Sequence, residues 1–62
     1  MPANNSKKNT VLVVDDEVDI LKLTQKFLKL ADFKTITTSN GKEAMQILEE
    51  KHDEIALILL DI

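Results

Sequence analysis

The chain has no cysteine, tryptophan or tyrosine, and its 62 residues include only one glycine, one proline, one histidine and two phenylalanines. Without cysteine there is no disulfide framework, thiol nucleophile or thiolate-bound zinc, and the single His52 cannot build a histidine-rich metal site. That absence is compatible with a reducing, cytoplasmic setting, which is the expected location. Long hydrophobic runs are also missing. The longest uncharged apolar run, Ile55–Leu60, falls far short of a membrane span, and no apolar segment follows the N-terminus as a signal peptide requires. Positive charge is in deficit, with Lys+Arg 8 against Asp+Glu 11 and a net charge of −3. Lys7 and Lys8 both precede residue 11, so the remainder is more acidic still, which excludes the uniform basic footprint of a nucleic-acid binder. A chain this short buries only about 60% of its unfolded surface, so as a lone domain its core is marginal.

What is present is patterned. Met1–Thr10 is polar, aperiodic and contains the only proline, and it reads as a disordered leader with the fold starting at Val11. Val11–Val14 is apolar and mostly β-branched and is closed by Asp15 and Asp16, which predicts a short strand buried on both faces. From Glu17 to about Leu30 the period changes: Ile20, Leu21, Leu23, Thr24, Phe27, Leu28 and Ala31 recur at helical spacing, with Lys22, Lys26 and Lys29 on the outer face. Asp16 or Glu17 suits the start of that helix. A turn at Asp32-Phe33 leads to a β-branched strand around Ile36, over Lys34–Thr38. Asn40-Gly41-Lys42-Glu43 resembles a capping box, with Asn40 as N-cap and Glu43 reaching back to its amide; a second helix follows, with Ala44, Met45, Ile47 and Leu48 as its apolar stripe. Ile55–Leu60 is a third strand, apolar on both faces and ending in Asp61. Met45, Phe27 and Phe33 are expected in the core, and His52 in solvent.

The order β-α-β-α-β, with connections long enough for crossovers, predicts parallel strands. Only the first and third strands end in carboxylates. In a simple 1-2-3 sheet those ends would lie about 10 Å apart, whereas in order 2-1-3 they are neighbours. Right-handed crossovers then place the two helices on opposite faces, and strands 1 and 3 flank the reversal point where open α/β sheets bind ligands. In that second order Asp15, Asp16 and Asp61 converge on one pocket. Two like charges about 4–5 Å apart repel by roughly 3–4 kcal/mol at an effective dielectric near 20. Mg2+, which prefers oxygen ligands and uses one or two carboxylates with phosphate oxygens, would offset that repulsion.

Taken together, VLVVDDEVDILKLTQKFLKL, SNGKEAMQIL and ILLDI, with the Asp15-Asp16 pair after the first strand and the strand-closing Asp61 45 positions beyond Asp16, resemble the receiver domain of two-component response regulators. The resemblance covers Thr10–Ile62. It implies a flavodoxin-like α/β fold of which residues 11–62 are the N-terminal half, a βαβαβ piece with sheet order 2-1-3. It further implies that Asp61 is the phosphoacceptor, that Asp16 touches Mg2+ directly, and that Asp15 acts mainly through a metal-bound water. A histidine kinase or phosphotransfer protein would supply the phosphoryl group, and the domain would not itself be an enzyme. Direct contact with nucleic acid or a membrane is not expected.

The later strands of the family supply a Thr or Ser and a Lys that pairs with the phosphoryl group, and neither has a counterpart here. The resemblance therefore implies a piece truncated after strand 3 and not competent alone. Strand 3 then forms an apolar edge, and self-association through Ile55–Leu60 is expected. Two other readings stand beside the phosphoacceptor. One is a partner-docking or self-associating receiver fragment without phosphotransfer. The other is a Mg2+-dependent phosphotransferase or phosphatase, disfavoured because Glu17 replaces the second acid of the usual Asp-x-Asp spacing.

Overall fold

The computed structural model describes residues 8–61 and contains β1 (Thr10–Asp15), α1 (Val18–Leu30), β2 (Lys34–Thr38), α2 (Gly41–Lys51) and β3 (Ile55–Asp61), in that order. The three strands form one parallel sheet in the order β2-β1-β3. β1 begins at Thr10, one residue earlier than the sequence pattern suggests, and Thr10 is buried. Residues 1–7 of the expected leader lie outside the described residues.

Every residue of β1 is buried, as its unbroken apolar run requires of a central strand covered on both faces. Its alternating side chains divide the core in two. Val11 and Val13 pack with Leu21 and Leu28 of α1, while Leu12 and Val14 pack with Ala44, Ile47 and Leu48 of α2, together with Ile36 and Ile55. The helices therefore lie on opposite faces of the sheet, as two right-handed crossovers in opposite directions demand.

The α1 C-terminus closes with a paired hydrogen-bond pattern. Asp32 N–H donates to the Lys29 carbonyl at 3.0 Å and Phe33 N–H to the Leu28 carbonyl at 2.9 Å, with Asp32 left-handed at φ 71°. Glycine usually takes this position because a Cβ is strained there. Asp32→Gly is accordingly expected to stabilise the chain by about 1 kcal/mol, read as an upward shift of the urea midpoint. An unchanged or lowered midpoint would mean that the Asp32 side chain compensates the strain.

At α2 the expected cap is present but wired differently. Asn40 Oδ1 accepts from Lys42 N–H at 2.8 Å and Glu43 N–H at 3.3 Å. Glu43 does not reach back to the Asn40 amide; that amide donates to Thr38 Oγ1 at 3.1 Å, and the Thr38 hydroxyl in turn donates to Glu43 Oε1. The buried Thr38 thus stands between the two partners of the expected capping box and ties the end of β2 to the start of α2.

Three expectations about the core are overturned. Met45 is 58% exposed, Phe27 63% and Phe33 40%, so none is a core filler. β3, by contrast, is the apolar edge that the sequence implies: only Ile55 is buried, and Leu57, Ile58, Leu59 and Leu60 are exposed. The cause is shared. Both helices lie over β1 and β2, which leaves β3 at the sheet edge with little cover and leaves the far flanks of the helices open. No described helix is long and apolar enough to cross a membrane.

Candidate functional site at the ends of strands 1 and 3

β1 and β3 run in parallel register from Val11 opposite Leu57 to Asp15 opposite Asp61. The irregularity near Ala56, between the Thr10 and Val11 pairings, sets this register and so brings the two strand-ending carboxylates level. Neighbouring strands lie about 4.8 Å apart, so Asp15 and Asp61 sit side by side at the carboxyl end of the sheet. They share a pocket of about 280 Å³ with Val13, Leu59 and, from α1, Ile20 and Thr24.

The two acids have unlike surroundings. Asp15 is only 4% exposed and its Oδ1 accepts a hydrogen bond from Glu17 N–H at 3.0 Å, which turns the chain from β1 into α1. The sequence suggests Asp16 or Glu17 for this task. Glu17 does hold the N-cap position of α1, but its side chain makes no capping bond, and the first-turn acid is Asp19. Asp61 is exposed, so water screens its repulsion with Asp15 well below the desolvated figure. The electrostatic need for a counter-ion is correspondingly smaller than the sequence alone suggests.

Asp16 follows β1 in a bend, exposed, and does not line the pocket shared by Asp15 and Asp61. Of the three acids expected to converge, two are therefore brought together. Among the described residues no group of three or more His, Cys, Asp or Glu side chains is close enough to hold a metal ion. The Asp15–Asp61 pair still offers the oxygen-only donor set suited to Mg2+, which commonly takes one or two carboxylates and keeps several waters. His52 is remote in character: it lies in the turn after α2, with Nε2 3.1 Å from Asp53 Oδ1.

Thr38 and Thr24 escape a reading by hydropathy. Thr38 lies in a threonine-rich strand with nothing to distinguish it from Thr35 or Thr37, and only its place at the β2 end, beside the α2 cap, gives it a role. Thr24 falls on the helix stripe expected to be core, yet it lines the acidic pocket.

This geometry can be set beside known proteins. Over 52 residues the chain is 38% identical to proteins named response regulator SaeR from Staphylococcus aureus strains USA300, NCTC 8325 / PS 47 and COL. The matched segment covers 84% of this chain and 22% of each relative, so the chain spans less than a quarter of the length of the curated relatives it matches. No solved structure matches it. Residues 11–62 match the family described as the response regulator receiver domain, and with the 2-1-3 parallel sheet and the acid-ended strands at its reversal point, the chain belongs to that family of two-component signal transduction.

Proposed function

We propose that the chain carries the phosphoacceptor of a response regulator, with Asp61 receiving the phosphoryl group. The observation that carries this reading is the register pairing of Asp61 with the buried Asp15 at the carboxyl end of a 2-1-3 sheet. Asp61 is exposed at the mouth of the pocket, where an incoming phosphoryl donor can reach it, whereas Asp15 is held by the Glu17 amide and is positioned rather than free. In the transfer, an Asp61 carboxylate oxygen forms a bond to phosphorus while the bond from phosphorus to the donor breaks, and the electron pair leaves with the donor. Asp15, Asp16 and Asp61 would hold Mg2+, with Asp16 reaching it by a change in the bend after β1. The bound ion would supply charge neutralisation at the phosphoryl oxygens. The donor is a histidine kinase or phosphotransfer protein, and the chain accepts the group without turning over a substrate of its own.

Incubation with Mg2+ and a small acyl phosphate, followed by intact-mass and peptide analysis, tests the reading. Because these residues hold no counterpart of the family's Thr or Ser, nor of the Lys that pairs with the phosphoryl group, the expected result is a mass gain of one phosphoryl group on Asp61 in only a small fraction of the chains, absent from Asp61→Asn and absent when Mg2+ is chelated. An adduct that persists in Asp61→Asn would overturn it. Consumption of the donor without an adduct would point to a phosphatase, and no reaction to a docking module.

A second reading rests on a separate observation. Leu57, Ile58, Leu59 and Leu60 are all exposed on an edge strand that carries no charge before Asp61. Such an edge offers unpaired backbone groups and apolar side chains on both faces, and we propose that copies of the chain associate through Ile55–Leu60.

A further inference from the structure

A groove of different chemical character from the carboxylate pocket lies on the α1 side of the sheet. It holds about 510 Å³ between α1 and the start of β2, and it is lined by Lys22, Gln25, Lys26 and Lys29 of α1 and by Phe33 and Lys34. The three helix lysines follow i, i+4, i+7 spacing, which stacks them along one stripe facing the groove. Four of the six lysines after residue 10 are gathered here, in a chain whose net charge is −3. None is neutralised within the described residues, where the single ion pair is His52 with Asp53. Phe33, 40% exposed, adds an apolar platform to the same groove.

We propose that this groove docks an acidic polypeptide segment carrying an apolar residue. The carboxylates would lie along the lysine stripe and the apolar side chain on Phe33, with Gln25 able to hydrogen-bond the segment's backbone. Charge complementarity selects the partner. An unpaired lysine stripe attracts carboxylates, and the acidic remainder of the chain, with eleven acids overall, repels a long polyanion such as nucleic acid. The groove also contains no arginine, the side chain best suited to bidentate phosphate binding, whereas lysine ammonium groups serve dispersed carboxylates as point charges. β2 is the other edge of the sheet, so an extended segment beside it would meet unpaired backbone groups as well. The proposal is independent of phosphotransfer at Asp61.

The test is fluorescence anisotropy with the 62-residue chain and a labelled peptide of alternating glutamate and valine, at low and at physiological ionic strength. Lys26→Glu/Lys29→Glu is expected to weaken binding by about tenfold or more, and added salt to weaken it in the unaltered chain. Lys42→Glu/Lys51→Glu changes net charge equally outside the groove and is expected to leave binding within about twofold, with far-UV circular dichroism confirming that both variants fold. Lys26→Gln/Lys29→Gln provides a milder change on the same stripe, should charge reversal disturb the helix. Absence of peptide binding at low salt, equal losses in the two charge-reversed variants, or tighter binding of a single-stranded oligonucleotide or of anionic phospholipid vesicles would each overturn the proposal.

Discussion

Leu12→Ala is expected to remove about 2–5 kcal/mol of stability, the range for deleting a fully buried leucine side chain and leaving a cavity. Leu12 is 1% exposed at the centre of β1, where it meets Ala44, Ile36, Ile47 and Leu48 on the α2 side of the sheet. A chain of this length has a total stability of roughly 3–9 kcal/mol at the usual 0.05–0.15 kcal/mol per residue. The substitution therefore removes a large share of the stability, seen as a marked drop of the urea midpoint and, toward the low end of that range, as loss of the helical far-UV signal at room temperature. Leu60→Ala is the matched control. It removes the same atoms from a side chain that is 65% exposed and is expected to change stability by less than about 0.5 kcal/mol. Comparable losses in the two variants would show that the core is not centred on β1.

The second large effect concerns β3. On the proposed association through Ile55–Leu60, the unaltered chain elutes above its monomer mass in size-exclusion chromatography with light scattering, and increasingly so with concentration. Leu57→Lys/Leu59→Lys is expected to return it to monomer. Both residues are exposed on the α1 side of the edge strand, where lysines keep their ammonium groups in water yet oppose a like-charged copy. Because neither side chain is buried, the substitutions cost little folding stability, and circular dichroism distinguishes a dispersed fold from an unfolded one. A well-dispersed monomer of the unaltered chain at high concentration would sink the association. So would undiminished association of the lysine variant.

These predictions differ in kind because the two outer strands meet different surroundings. β2 and β3 both flank β1, yet the helices cover only the β2 side, so Ile36 joins the core while Leu57–Leu60 face water. Hydropathy cannot distinguish the two cases. Ile55–Leu60 is the longest apolar run of the chain, and most of it is exposed. The same limit explains Phe27 and Met45, whose helical spacing places them on apolar stripes, although the flanks they occupy have nothing packed against them. The capping of α2 shows the limit at shorter range: the Asn40 cap is legible as a local motif, but the hydroxyl of Thr38 enters only because β2 ends beside the helix start.

The sequence by itself determined the element order, the parallel 2-1-3 sheet, the placement of the helices on opposite faces, the cap at Asn40 and the neighbouring ends of strands 1 and 3. The element order, parallel pairing and cap follow from periodicity, β-branching and connection length, which act locally; the 2-1-3 order, and with it the opposite faces and the neighbouring strand ends, follows from the motifs that resemble the receiver family. Only the tertiary structure decided which acids share a pocket, which apolar residues are core, and that four lysines and Phe33 line one groove. Each depends on what lies across space from a side chain. Asp15 and Asp61 meet because a shift in the β1–β3 register makes them level, whereas Asp16, one residue further along, has already turned into the bend before α1.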